Sequence, residues 1–404
     1  MRGGKWLLLV SLYVSQGLPY GFFVQALPVL LRRQGLSLEW IGLSSLLALP
    51  WALKFLWAPA VERAFWPGLG RRRSWLLPLQ GAMALAMVGL SSWAPARSLG
   101  VVLAGVLLIN VLSATQDIAT DGLALDLLAP EERGLANGVQ VAGYRAGMVL
   151  GGGALLALFE RLGWSWSFLA MGGLLVLLTG PVAAHREAVP VPRAGEERSG
   201  VRFWKRVDRW RLGGLLVTYK LGEAFSVGML RPWMTDQGLS LAEIGWALGV
   251  VGFAAGLVGA LAGGALVPRL GRRRALELFA ALQAVAVAGY ALASTQGAGP
   301  WLLPLCAAEH LASGMATAAL FTCMMDWSST EAGASDYTFQ ASLVVISTGA
   351  AAALSGVSAA HLGYTGHFSA AALLAGLVPL ATRWLAPPGG KVCYPGGGLS
   401  KEAA

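Results

Sequence analysis

The chain has 404 residues, of which 56% are hydrophobic and only 13% charged, with a mean hydropathy of +0.61. Two or three soluble domains do not have that composition, so the chain reads as a polytopic membrane protein. Its net charge of +9 is spread in short basic clusters between apolar runs, which excludes a basic nucleic-acid-binding domain and matches the bias of membrane loops.

A spanning helix needs about 20 mostly apolar residues. Read in order, the chain offers about twelve such stretches: 5 to 31, 40 to 61, 74 to 94, 98 to 124, 134 to 158, 164 to 184, 210 to 233, 241 to 266, 274 to 294, 299 to 325, 336 to 361 and 364 to 386. The first begins after a charge, as a signal peptide does, but it continues to Leu31 without a small-residue cleavage site and is read as a retained span. Backbone groups find no water partner in lipid, so each span is expected to be helical. Runs such as GGGALLAL from Gly151 and AAGLVGALAGG from Ala254 are expected to be close-packing faces. Cys306 and Cys323 lie in spans and Cys393 in the tail, so the sequence calls for no disulfide framework, metal or cofactor.

With the N-terminus inside, the cytoplasmic segments hold about 22 Lys and Arg and the outer loops about 5; Lys54, Arg145 and Lys220 fall within spans. Both termini are therefore expected in the cytoplasm. The expected domains are an N-terminal six-helix bundle (1–184), a charged, Pro-containing cytoplasmic linker (185–209), a C-terminal six-helix bundle (210–386) and a cytoplasmic tail (387–404). The halves repeat: QGLSLEWIGL from Gln34 recurs as QGLSLAEIGW from Gln237, and GRRRSW from Gly70 recurs as GRRRAL from Gly271. Two parallel repeats of six helices are the plan of a transporter with its site between the repeats.

Charges deep in spans mark candidate sites. Asp117 and Asp121 stand one helical turn apart, on one face, followed by the hairpin APEERG and a span carrying Gln140, Tyr144 and Arg145. Lys54 either snorkels to the interface or pairs with one of these aspartates. The pair is a candidate for proton coupling or gating, against a static salt bridge. Arg145 is either a contact for a substrate oxyanion or the partner of Asp121. In the second half Lys220 and Glu223 lie three apart at mid-depth. Glu309 is a candidate proton site and His310 either a titrating neighbour or a packed histidine. Asp326 and Asp336 are expected as solvated gate residues, and His361 and His367 as unremarkable residues near the outer surface. Gln16, with Gly17 and Pro19, breaks the first span and, with Gln25, is a candidate cavity residue. Tyr13, Tyr20, Phe22, Phe23, Tyr219 and Phe225 either line a pocket or pack.

The stretch GALVPRLGRR from Gly264 resembles the major facilitator signature GxxxDRxGRR, with Pro268 in place of the acid. The first-half copy is looser, with Glu62 and Arg63 where Asp and Arg are expected. Glu62, Arg63, Arg71, Arg72, Arg269, Arg272 and Arg273 are thus candidates for a cytoplasmic latch, against a purely topological role. SQGLPYGFF, ALPWALKFLWAP, ATQDIATDGLAL, EERGLANG, VAGYRAGMVLGGG and ASDYTFQAS together resemble the muropeptide permease (AmpG) and acetyl-CoA transporter branch of that superfamily. GFFVQALPVLLR, NGVQVAGY and SDYTFQAS look closest to bacterial siderophore importers of the RhtX/FptX type. The resemblance implies a multi-pass inner-membrane protein importing a bulky anionic or iron-chelating solute, such as a siderophore, by proton symport, with anhydro-muropeptides as the alternative cargo. It further implies alternating access by a monomer whose partners are the solute, protons and the bilayer, with no nucleic acid. A membrane-embedded acyltransferase or a sensor subunit fits less well, because the adjacent Glu309 and His310 point about 100° apart on a helix and no soluble signalling domain is evident.

Overall fold

A computed structural model describes residues 2–33, 45–93, 98–187, 206, 208–297, 299, 301–329 and 332–386. The first-half copy of the QGLSL repeat, most of the linker and the tail lie outside these residues. Among the described residues the chain is all helix, in twelve segments: α1 (2–33), α2 (45–63), α3 (73–91), α4 (99–127), α5 (133–162), α6 (164–184), α7 (209–236), α8 (241–270), α9 (272–296), α10 (302–327), α11 (333–362) and α12 (364–385). They coincide with the twelve expected spans to within a few residues.

One turn in each half is a single glycine. Gly163 (φ 67°, ψ −175°) separates α5 from α6, and Gly363 (φ 65°, ψ 174°) separates α11 from α12. Side chains with a Cβ rarely take that backbone, so one residue reverses the helix where a longer loop would otherwise be needed.

Eight of the twelve segments are apolar and long enough to cross a membrane by composition, α11 and α12 lying within one stretch, Gly333–Leu385. The four outside that set, α2, α5, α7 and α10, carry Lys54, Arg145, Lys220, Glu223 and Glu309. α2 is a chain of short pieces, Ser45–Ala48, Leu49–Leu53, Lys54–Leu56 and Ala58–Arg63. α7 breaks at Tyr219–Lys220 and again at Met229. π-helical turns interrupt α1 at Phe22–Ala26, α5 at Val149–Ala154 and α8 at Gly245–Val251, an irregularity frequent at functional sites.

The residue distribution is inverted relative to a water-soluble fold. Leu85 of α3, Leu177 of α6, Val285 of α9 and Leu373 of α12 are each more than 70% exposed, while Gln16, Gln80, Gln116, Thr120 and Asp121 are buried. Apolar faces of that size suit lipid.

The chain forms two compact units. The first comprises Met1–Leu127, Ala142–Gly200 and Glu331–Thr338; the second comprises Leu128–Val141, Val201–Thr330 and Phe339–Ala404. α5 and α11 therefore each contribute their first residues to one unit and the remainder to the other. In the first unit α1 and α5 touch backbone to backbone: a Cβ on Gly17 would lie 2.0 Å from the Tyr144 carbonyl oxygen, and one on Gly151 1.8 Å from that of Leu18. In the second unit Gly134 and Gly138 give the start of α5 the same closeness to Gly264 and Ala260 of α8. The apolar core of the first unit is built around Phe22, Met87, Phe168 and Leu175, and that of the second around Trp233, Tyr290 and Phe368.

Candidate functional site

In the first unit the fractured α2 brings Lys54 into the protein rather than to an interface. The residue is 4% exposed, and its ammonium donates to a carboxylate oxygen of Asp117 on α4. Asp117 is thus the salt-bridge partner of the lysine, and both aspartates are buried, at 8% and 2% exposure. The lysine nitrogen also lies 5.9 Å from the Trp51 ring centroid. Trp51, Tyr20 and Tyr144 form a triangle of rings, with centroids 5.4 Å apart for Tyr20 and Trp51, 5.6 Å for Tyr20 and Tyr144, and 6.4 Å for Trp51 and Tyr144. Such edge and tilted contacts are the preferred packing of aromatic rings.

A buried amide cluster lies on the neighbouring turns. Gln80 and Gln116 both donate to the Ser15 hydroxyl, at 3.1 and 2.9 Å, and Ser15 donates to the Leu12 carbonyl at 2.7 Å. Gln16 is fully buried, and neither of its amide atoms has a hydrogen-bond partner among the described residues. A buried unsatisfied amide is costly, so Gln16 is a group awaiting a partner. Gln25, partly buried on the π-turn of α1, lies against Gly152 of the π-turn of α5. Arg145 is partly buried and Gln140 nearly fully buried, the latter in the second unit. Of the remaining aromatic candidates, Tyr13, Phe22 and Phe23 are buried, and Phe22 packs edge-on against Phe168. Tyr219 donates to the Leu276 carbonyl at 3.1 Å.

In the second unit Lys220 pairs with Glu223 at 2.5 Å across the break in α7, and Ser313 of α10 donates to Glu223 at 2.6 Å while accepting from Lys220 at 3.2 Å. Glu223 lines a cavity of about 460 Å³ together with Arg231 and Thr348. Glu309 is 1% exposed, and its Oε2 lies 2.7 Å from His310 Nδ1, which is also 3.0 Å from the Cys306 carbonyl. The histidine, although adjacent in sequence, thus folds back onto its neighbour. His367 is fully buried between Ser358 and the Phe225 carbonyl, not surface-lying as expected; His361 is exposed.

The latch candidates sort into two networks. In the first unit Glu62 accepts from Arg71 at 3.1 Å and Arg72 at 2.8 Å, and its second oxygen accepts the Ser335 backbone N–H at 2.9 Å, at the start of α11. Arg72 also donates to Asp126 at the end of α4, at 2.8 Å. Its guanidinium lies where a Cβ on Gly122 would stand, so that glycine seats it on α4. Burial opposes the charge of Arg72, but Glu62 and Asp126 more than offset this and hold its pKa above the ordinary arginine value. In the second unit Asp326 supplies the acid that Pro268 cannot: Arg272 donates to it at 2.7 Å and Arg133 of α5 at 2.8 Å. Arg272 further donates to the Pro130 carbonyl at 2.6 Å. Arg63, Arg269 and Arg273 are exposed. Asp326 and Asp336 were expected to be solvated; the first is only partly exposed, held by two arginines, and the second is 1% exposed.

Asp126, Glu187, Arg133 and Ser313 were missed as site residues. Asp126 and Asp326 stand about 200 residues apart, the offset of the loop repeat, and that register could have found both. Among the described residues no three His, Cys, Asp or Glu side chains converge as a metal site.

The profile of the Major Facilitator Superfamily matches residues 9–326. The chain is 32% identical over 333 residues to the anhydromuropeptide permease of Escherichia coli K12, covering 79% of this chain and 67% of that protein. It is 30% identical over 406 residues to an uncharacterized protein of Haemophilus influenzae, covering 95% of each. Its fold is similar to that of a bacterial homologue of the iron transporter ferroportin, with a TM-score of 0.71 at 18% identity, over 95% of this chain and 100% of that one. This multi-pass membrane protein belongs to the major facilitator superfamily and is a transporter of small molecules, not an enzyme.

Proposed function

We propose that the chain is a proton-coupled importer of the bacterial inner membrane that carries an anhydromuropeptide-like solute, a sugar bearing a short anionic peptide. The observation that carries this reading is the 32% identity over 333 residues to a protein named anhydromuropeptide permease; it outweighs the local resemblance to siderophore importers. The first unit suits such a cargo. The Tyr20, Trp51 and Tyr144 rings offer apolar faces to a sugar, Gln16 offers an unsatisfied amide, and Lys54 and Arg145 offer cations to carboxylates.

Protonation of Asp117 would release Lys54 to meet a substrate anion, which links proton and cargo by exchange of one partner for another. Asp121 and Glu309 are further candidates for this relay, and Lys220, Glu223 and Gln140 for contacts with the cargo. In this reading the termini are cytoplasmic, the halves 1–184 and 210–386 rock about a central site, and the protein acts as a monomer. The networks at Glu62 and Asp326 then hold the cytoplasmic ends of the helices and must break in each cycle.

Uptake of labelled anhydromuropeptide and of a ferric siderophore into membrane vesicles tests the proposal. Expected are muropeptide uptake that collapses with the proton gradient, loss of that uptake in Asp121→Asn, and weakened binding in Arg145→Ala with intact membrane insertion. Siderophore uptake without muropeptide uptake would overturn the assigned cargo, and uptake indifferent to the gradient would overturn the coupling.

A further inference from the structure

The start of α9 borders a cavity of about 620 Å³ whose wall carries Arg133, Arg272, Arg273 and Arg274 against a single carboxylate, Asp326. That carboxylate is already engaged by Arg133 and Arg272. Arg273 bonds Glu277 at 3.1 Å and the Arg383 carbonyl at 2.7 Å, and Arg274 is exposed. The positive end of the α9 dipole adds to this charge: Gly271, at φ 79°, is the N-cap and supplies no side-chain cap to the first turn.

The other half of the molecule shows what such a place takes. The same GRRR sequence precedes α3, and there Glu187, just past the end of α6, accepts the backbone N–H of Arg72 at 3.0 and 2.9 Å and that of Arg73 at 3.1 Å. Gly70, at φ 94°, leaves room for that carboxylate, which lies 2.6 Å from where a Cβ would stand. About 200 residues further on, past the end of α12, the sequence reads Ala386, Pro387, Pro388, with no acid at the positions that match Glu187. Ala386 lines the cavity. One repeat thus answers its basic helix start with an internal carboxylate, and the other presents four guanidiniums and, among the described residues, no counterpart of Glu187.

We propose that this cavity binds a phosphate-class anion, either the headgroup phosphate of an anionic lipid or free phosphate. Guanidinium forks match phosphate oxygens in pairs, helix N-termini favour anions, and basic pockets between membrane helices suit lipid headgroups. A bound phosphate tethers the start of α5, through Arg133, to the start of α9.

Thermal unfolding of the full-length protein tests this. In detergent, inorganic phosphate is compared with chloride at matched ionic strength; in nanodiscs, phosphatidylglycerol is compared with phosphatidylcholine. A rise in Tm with phosphate assigns the site to the free anion, and a rise with phosphatidylglycerol alone assigns it to the lipid. Arg274→Gln should weaken binding about tenfold, as loss of one charge-assisted contact does. Ala386→Glu, which supplies the carboxylate internally, should abolish the response, and Ala386→Gln should retain it. Should Ala386→Glu fail to fold, Arg274→Gln decides alone. No response to either anion, or an unchanged response in Arg274→Gln, would overturn the proposal. So would a response seen only after removal of residues 387–404, since the chain's own tail would then be the occupant.

Discussion

Lys54 and Asp117 are both taken out of water in the first unit, and each is tolerable only because the other is there. Breaking a buried pair leaves an uncompensated charge and costs about 3–5 kcal/mol, whereas replacing both partners with apolar groups is near neutral. Asp117→Asn should therefore lower Tm strongly, and Lys54→Met combined with Asp117→Leu should restore most of the loss while leaving uptake abolished. A double mutant as unstable as the single one would show that the pair is held for packing instead. The sequence narrowed the partner of Lys54 to two aspartates one turn apart. Only the broken course of α2, set by how its short pieces pack against α4, selects Asp117. For Arg72 the sequence held less. Its partner Glu62 falls in a recognisable loop motif and Asp126 in the register of the repeat, but the backbone contacts of Glu187 join segments that no spacing connects.

At the level of helices, glycine decides where backbones meet and where they reverse. Gly17 and Gly151 let α1 and α5 approach with no side chain between them. Gly17→Leu should prevent that crossing and reduce folded protein in the membrane, measured by size-exclusion chromatography after extraction; a monodisperse, fully stable variant would refute the close crossing. Gly363 is needed for its backbone conformation alone, since nothing crowds the site of its Cβ. Gly363→Ala should thus cost about 1–3 kcal/mol through strain, read as a fall in Tm with uptake largely kept. The glycine-rich faces were legible from composition and spacing. The single-residue turns emerged only as a gap between two apolar runs, because a run of hydropathy does not report φ.

Across the whole molecule, α5 and α11 are each shared between the two units, and the charges cluster where they start. Asp326 holds Arg133 of α5 and Arg272 of α9 together beside Cys323, which is 1% exposed. Asp326→Asn removes that hold. In a background lacking Cys306 and Cys393, maleimide labelling of Cys323 should speed up several-fold; an unchanged rate would show that the contact does not govern opening at this end. Hydropathy and the recurring loop motifs together determined the twelve helices of the described residues and their two repeats, because an apolar run of about 20 residues satisfies its own backbone in lipid as a helix and the motifs recur at one offset. The charged positions were determined as well, since polar groups stand out against an apolar background. The pairing of those charges was decided by tertiary structure. Asp326 stands in for the acid that Pro268 displaced, this carboxylate expected in solvent is held by two arginines, and among the described residues Glu187 fills a helix start in one half only. Such pairings depend on which helix ends meet, and that is set by packing between segments far apart in the chain.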